Sequence, residues 1–387
     1  MSQTGKTILF FIPTHSFATK ERVALRDMSI ALESGFKVYL ATNLQSYLAE
    51  SASKLGVECF QVGDHFINRL TDYHKHYPIS KKIKKYQIDI IHCYDFNFLF
   101  SIATQMRSFN LTSLVFTQDH TIDKPLQKFW YKPLISRIDF LILLNKHLKN
   151  DLVGNLGLAQ KKVEYFGMGI RNIAPAIPEV LEESFRPYKD YFLAGTFVSP
   201  ELKSIDPLVP ILLALKVINQ KRENNLPVKL VLISHYDFKE LSIFKELLDF
   251  IAENQIGDDI LFASTADVDG VMTKLSVWIS NAKDEFLEDY AVSALVHEIP
   301  ILAPRNFCSL ELLREYEGVG ELYKLYDSRE LREKWTKIIL GFDLYKDKAR
   351  LFKFFIEKEH DFKLYKNDLL DLYAKMTLRR NRVYKSQ

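Results

Sequence analysis

The sequence predicts an α/β protein built from two doubly wound parallel-sheet domains. Three observations predict it. Its 387 residues exceed what one ordinary core organises and suit two domains of about 150 to 200 residues each. Short β-rich apolar runs alternate with amphipathic helical stretches, the pattern of a parallel sheet covered by helices on both faces. The alternation stops at Ile173-Ala174-Pro175-Ala176-Ile177-Pro178, where two prolines interrupt any regular pattern, and then starts again.

In the first half, strands are expected at 8–13, 37–42, 58–62, 88–92, 113–117, 140–144 and 163–166. Residues 21–33 form a helix that aligns Val23, Ala24, Met28, Ala31 and Leu32 on one face and stops at Ser34-Gly35. Strand, helix, glycine, strand is a right-handed βαβ unit, so the strand ends line one crevice. After the break, strands are expected at 191–195, 229–234, 260–263, 276–280 and 301–303, with helices at 207–220 and 238–254. Residues 329–373 read as helices rich in Phe, Leu and Tyr, followed by the basic tail Leu378-Arg379-Arg380-Asn381-Arg382-Val383-Tyr384-Lys385. The expected organisation is a Rossmann-like domain over 1–175, a second over 176–340, and helices with a basic tail over 341–387 that pack back on the first.

Composition narrows the class of function. Hydrophobic content of 47% with 26% charged residues is that of a soluble globular protein, and no window approaches the roughly 20 apolar residues of a membrane helix. The apolar run Thr7-Ile8-Leu9-Phe10-Phe11-Ile12 is too short for a secretory signal and lacks a small-residue cleavage site after it, so it reads as the first strand of a cytoplasmic protein. Cys59, Cys93 and Cys308 follow no metal spacing and read as reduced thiols. A formal charge of +3 gives no support to nucleic acid as a partner.

Gly5-Lys6-Thr7 mimics the end of a phosphate loop, but it precedes a strand instead of following one. His74-Lys75-His76-Tyr77 and Lys81-Lys82-Ile83-Lys84-Lys85-Tyr86 gather basic and aromatic side chains. They read either as a solvated helix face or as a surface that docks on anionic lipid through Lys81, Lys82, Lys84 and Lys85, peripheral at the inner face of a membrane.

The run Glu285 to Arg305 carries the chemistry. Glu285 follows the expected strand 276–280 and opens a helix, which places a carboxylate where a parallel strand hands over to a helix, the ligand edge of such a sheet. The spacing of Glu285 and Pro300, fifteen residues apart, resembles the donor-sugar signature of retaining GT-B glycosyltransferases of the Glu-x7-Glu group. The second Glu of that signature falls on Ser293. Asp89-Ile90-Ile91-His92 resembles the family's acceptor-side strand, and Thr117-Gln118-Asp119-His120 the segment whose His faces the donor sugar. Val163-Glu164-Tyr165-Phe166-Gly167-Met168-Gly169-Ile170 resembles the strand and turn before the linker. Phe192-Leu193-Ala194-Gly195-Thr196-Phe197-Val198-Ser199-Pro200-Glu201-Leu202-Lys203 resembles the element that binds the donor diphosphate, with Thr196 in place of its Arg and Ser204 in place of its last Gly.

The resemblance implies the GT-B fold, two Rossmann-like domains facing each other across a cleft, with C-terminal helices. It implies a catalytic set of His120, Lys203 and Glu285. Lys203 would stabilise the departing nucleotide diphosphate of an oxocarbenium-like transition state, and Glu285 would accept from a donor-sugar hydroxyl. Gly195, Thr196, Ser293 and Glu311 would complete the donor side. His15, His92 and Asp95 would line the acceptor side. The implied activity is transfer of a sugar from a UDP- or GDP-linked donor to a glycan or lipid-linked acceptor, with retention and without a metal, in cell-surface polysaccharide or lipopolysaccharide biosynthesis. A catalytically inactive GT-B scaffold and a nucleotide-sugar epimerase are the alternatives.

Overall fold

The computed structural model describes residues 5–14, 19–62, 77–99, 102–103, 112–118, 132–170, 179–221, 227–265, 267–281 and 289–384. The chain divides into two compact units, one of residues 1–169 with 362–387 and one of residues 170–361. The expected linker at 173–178 lies outside the described residues.

The first unit holds a parallel sheet of β1 (Thr7–Phe11), β2 (Lys37–Thr42), β3 (Glu58–Gln61), β4 (Ile90–Cys93), β5 (Ser113–Gln118), β6 (Phe140–Leu143) and β7 (Val163–Tyr165), in the order β3-β2-β1-β4-β5-β6-β7. Ile8 pairs with Val38 on one side and with Ile90 on the other. Every residue of β1, β4, β5 and β6 is buried. That is why these strands read as unbroken apolar runs: a strand covered on both faces has no solvent side to make polar.

The second unit holds β8 (Phe192–Phe197), β9 (Val228–Ser234), β10 (Ile260–Ser264), β11 (Val277–Ile279), β12 (Ile301–Pro304) and β13 (Gly320–Tyr323), parallel and ordered β10-β9-β8-β11-β12-β13. On one face, Ala194, Leu230, Leu232, Val277 and Ile279 pack with Leu212, Leu215, Leu247 and Trp335 of the helices Val209–Lys221, Phe244–Glu253 and Ser328–Leu340.

Two elements differ from expectation. β13 is absent from the expected strands. A Cβ on Gly320 would meet the Ile301 carbonyl oxygen at 2.1 Å, so glycine here permits close strand approach. The expected helix 238–254 is interrupted. Asp237 caps a short 3-10 turn, Phe238–Glu240, by accepting from the Lys239 amide, and Leu241 is extended, so the α-helix begins only at Phe244.

The helices expected after residue 340 divide between the units. Phe342–Glu359 belongs to the second, whereas Phe362–Tyr384 belongs to the first and buries Tyr365, Leu369, Leu372 and Tyr373 there. In each sheet the neighbour order reverses beside the unit's first strand, between β1 and β4 and between β8 and β11. The carboxyl ends of those strands are where open α/β sheets bind ligands.

Candidate functional site

In the second unit the ends of β8 and β11 are tied together. Asn281, just past β11, donates from Nδ2 to the Phe197 carbonyl at 2.9 Å. His235 follows β9, and its Nδ1 lies 3.2 Å from the Thr265 carbonyl beyond β10. A carbonyl only accepts, so Nδ1 carries the proton and Nε2 accepts from the Tyr290 hydroxyl at 2.8 Å. Tyr290 stands in the first turn of the helix Asp289–Val296, and its ring meets Phe197 at 5.0 Å and Trp278 at 5.6 Å. An oriented imidazole and phenol therefore sit on an aromatic floor at the strand ends.

Beside them is a carboxylate. Asp267 caps the short helix Val268–Met272 by accepting from the Gly270 amide at 3.0 Å. This presents Asp269, whose Oδ1 accepts a hydrogen bond from the Ser293 hydroxyl. The Asp269 side chain keeps 38% of its surface exposed and lies 4.0 Å from His297 Nε2. Desolvation pushes the Asp269 carboxyl above its ordinary pKa, against the opposing pull of the Ser293 hydrogen bond and of His297. Desolvation also lowers the His297 pKa.

The expected donor residues are distributed unevenly over this edge. Gly195 and Thr196 lie inside β8, where a Cβ on Gly195 would meet Leu275 Cδ1 at 2.2 Å, and Thr196 is fully buried. They build the strand without reaching its ligand edge. Lys203 is exposed on the loop between β8 and the helix Val209–Lys221. Ser293 is buried on the helix Asp289–Val296 with its hydroxyl on Asp269. Glu311 stands in the helix Phe307–Glu315, whose cap is Asn306, and pairs with Arg314 at 3.9 Å. It is therefore neither the cap nor the capping-box residue. His15, His120 and Glu285 lie outside the described residues.

In the first unit, Asp95 lies two residues past β4 at the point where strand order reverses, and accepts from Lys20 Nζ at 3.2 Å. Lys20 is also 3.9 Å from Glu21. His92 is different. It is fully buried within β4, with Nδ1 2.7 Å from the Tyr373 hydroxyl and Nε2 2.7 Å from Thr117 Oγ1. Burial lowers its pKa to about 3, so it is a neutral interior group and not a surface-lining one.

The same interior holds Asp27, which accepts from Tyr94 at 2.6 Å and Tyr365 at 2.9 Å, with Arg26 Nε 3.5 Å away. Desolvation raises its pKa. This cluster binds the last helix to the sheet.

Sequence reading missed His235, Asn281, Tyr290 and Asp269. The first two had a signal, since each is a polar residue within two positions of the end of an apolar strand. Asp27 had one too, as a carboxylate four residues from Val23 and from Ala31 on an apolar helix face. Asp269 had none, because only folding brings it to Ser293.

Among the described residues, no three His, Cys, Asp or Glu side chains gather as metal ligands, and no helix is long and apolar enough to cross a membrane. In the helix Tyr77–Lys85, Lys81, Lys84 and Lys85 are exposed, whereas Lys82 lies over the Phe60 ring at 4.3 Å.

No protein-family model matches the sequence, and no curated protein sequence matches it significantly. Solved structures do match. A glycosyltransferase from Rickettsia africae ESF-5 superposes with a TM-score of 0.69 at 15% identity, covering 96% of this chain and 98% of that one. HepE of Anabaena in complex with UDP superposes with a TM-score of 0.69 at 13% identity, covering 96% and 100%. The UDP-GlcNAc 2-epimerase of Neisseria meningitidis, bound to UDP-GlcNAc, gives 0.62 at 10% identity, covering 95% and 100%. The two parallel sheets and their helices are thus the GT-B fold, two Rossmann-like α/β units.

Proposed function

We propose that the protein is a glycosyltransferase that takes a sugar from a nucleotide donor, UDP-linked in the first instance, and delivers it to a glycan or lipid-linked acceptor. The carrying observation is that 96% of the chain superposes on a solved glycosyltransferase and on HepE, which is solved with UDP, while the second unit's strand-end edge carries a part-exposed carboxylate, Asp269, and an exposed lysine, Lys203.

In this reading the second unit binds the donor. Asp269, with Ser293 held against it, accepts hydrogen bonds from the ribose hydroxyls and supplies the carboxylate that position 293 lacks. Lys203 pairs with the diphosphate, where negative charge grows as the glycosidic bond breaks. Tyr290 and His235 shape the floor beneath it. Glu285 orients the donor sugar and His120 faces it, while Asp95 with Lys20 lines the acceptor side. Transfer proceeds with retention and without a metal, in the building of cell-surface glycans. Lys81, Lys84 and Lys85 add attraction to an anionic lipid surface, where a lipid-linked acceptor resides.

Calorimetric titration with UDP and with GDP tests the reading. Binding of one or both is expected, and silence from both at about millimolar concentration, the weak end of nucleotide affinities, overturns it. The epimerase likeness supports a second reading, isomerisation of the nucleotide sugar itself. Incubation with donor alone separates the two: a transferase leaves the donor intact or slowly hydrolysed, whereas an epimerase converts it to an isomer.

A further inference from the structure

The loops at the second unit's strand-end edge lack what ordinarily receives a diphosphate. Backbone N–H groups reach phosphate oxygens where a loop is rich in glycine. Here β8 is followed by Val198-Ser199-Pro200-Glu201 and β9 by His235-Tyr236-Asp237, with no glycine in either loop before the next helix. Pro200 has no N–H at all. Side chains therefore have to supply the donors and the positive charge, and Lys203 supplies one such charge.

The pair His235 and Tyr290 supplies a second. β9 lies beside β8 with Ile233 opposite Phe197, and the part-exposed His235 ring meets the Phe197 ring at 5.1 Å. With Nδ1–H held on the Thr265 carbonyl, the nitrogen left to take up a proton is Nε2, which accepts from the Tyr290 hydroxyl. Protonation there reverses the bond: the imidazolium donates to Tyr290 Oη, and the phenol hydrogen is released to another acceptor. One proton from solvent thus gives the edge a positive charge and a free O–H donor together. An ordinary histidine titrates near 6.5, roughly half a unit from neutrality, so moving this proton costs little.

The charged groups on the elements around the pair are acids. Asp289 accepts from the Tyr290 amide at 3.1 Å, Asp267 from the Gly270 amide and Asp237 from the Lys239 amide, while Asp269 accepts from Ser293. Their negative charge opposes an anion at this edge, so an incoming diphosphate gains most when His235 is charged. We propose that binding of the nucleotide diphosphate takes up a proton at His235 Nε2, with Tyr290 turning its hydroxyl hydrogen to a phosphate oxygen. The inference rests on the donor reading and adds the regulation of that site: affinity falls as pH rises through the histidine range.

Calorimetric titration of the full-length protein with UDP, in buffers of different ionisation enthalpy at pH 7, counts the protons taken up. The proton change of UDP itself is common to wild type and variants, so the difference between proteins carries the test. Wild type should take up more than His235→Gln by a sizeable fraction of a proton, and above pH 7 its affinity should fall relative to that variant by up to about tenfold per pH unit. Tyr290→Phe, which keeps the ring on Phe197 and Trp278, should bind UDP several-fold more weakly than wild type and lose the extra uptake. Circular dichroism melts establish that the variants fold. Equal uptake in wild type and either folded variant overturns the inference and leaves UDP binding, and with it the donor reading, intact. Silence toward UDP at about millimolar concentration removes the donor reading and this inference with it.

Discussion

Ser293 donates its hydroxyl to the carboxylate of Asp269, twenty-four positions away in sequence and on a different helix. The partner of Ser293 is therefore an acid that its own helix does not carry. Hydrogen bonds to a charged group contribute about 1.5 to 3 kcal/mol, and neutral ones about 1 kcal/mol. Asp269→Asn should weaken UDP binding by about tenfold or more, and Ser293→Ala by several-fold less. If Asp269 reads the ribose, wild type prefers UDP over 2′-deoxy-UDP and Asp269→Asn loses that preference. Equal discrimination by both proteins in calorimetry would remove Asp269 from the site while leaving UDP binding intact.

Lys203 carries an exposed positive charge on the β8 loop. Lys203→Ala should reduce turnover by about tenfold or more, because one lost charged contact in the transition state is worth roughly 1.5 to 3 kcal/mol. Lys203→Arg should retain much of the rate. Steady-state kinetics that show Lys203→Ala at the wild-type rate would place diphosphate binding elsewhere.

His92 makes stability depend on pH. Its pKa falls from 6.5 to about 3 in the folded protein through burial, so between these values the unfolded chain binds a proton that the folded one does not. Its contribution is fully present above about 6.5 and is lost as pH falls toward 3, with a slope of up to about 1.4 kcal/mol per pH unit. Asp27 acts in the opposite sense, since its raised pKa lets the folded state take up a proton first and its contribution declines as pH rises. Urea unfolding at pH 7 and pH 5 should show wild type losing stability on acidification and His92→Gln losing less. Parallel slopes in the two proteins would exclude His92 as the source.

Gly320 lets β13 approach β12. With its Cβ 2.1 Å from the Ile301 carbonyl oxygen, Gly320→Ala has to displace backbone, at a cost of about 1 to 3 kcal/mol. Thermal unfolding should register this as a fall of several degrees. Gly154→Ala, in open space on the helix Leu148–Leu156, is the matched control and should be neutral or stabilising. An unchanged melting temperature for Gly320→Ala would mean the strand pair relaxes freely.

The parallel sheets were legible because their strands are buried on both faces, so apolar runs such as Ile8 to Phe11 and Val228 to Ile233 announce themselves without long-range information. The sequence by itself thus determined the two-unit α/β plan and the helix of Val23, Ala24 and Met28. Three things only the tertiary structure decided. β13 is absent from the expected strands, and the need for glycine at position 320 shows only with Ile301 beside it. His92 looked like an acceptor-side group until Tyr373, 281 positions away, took its Nδ1. Asp269 acquired Ser293 only through the packing of two helices. Burial and hydrogen-bond partnership are properties of neighbours in space, and periodicity along a chain records which face a residue occupies but not which residue it meets there.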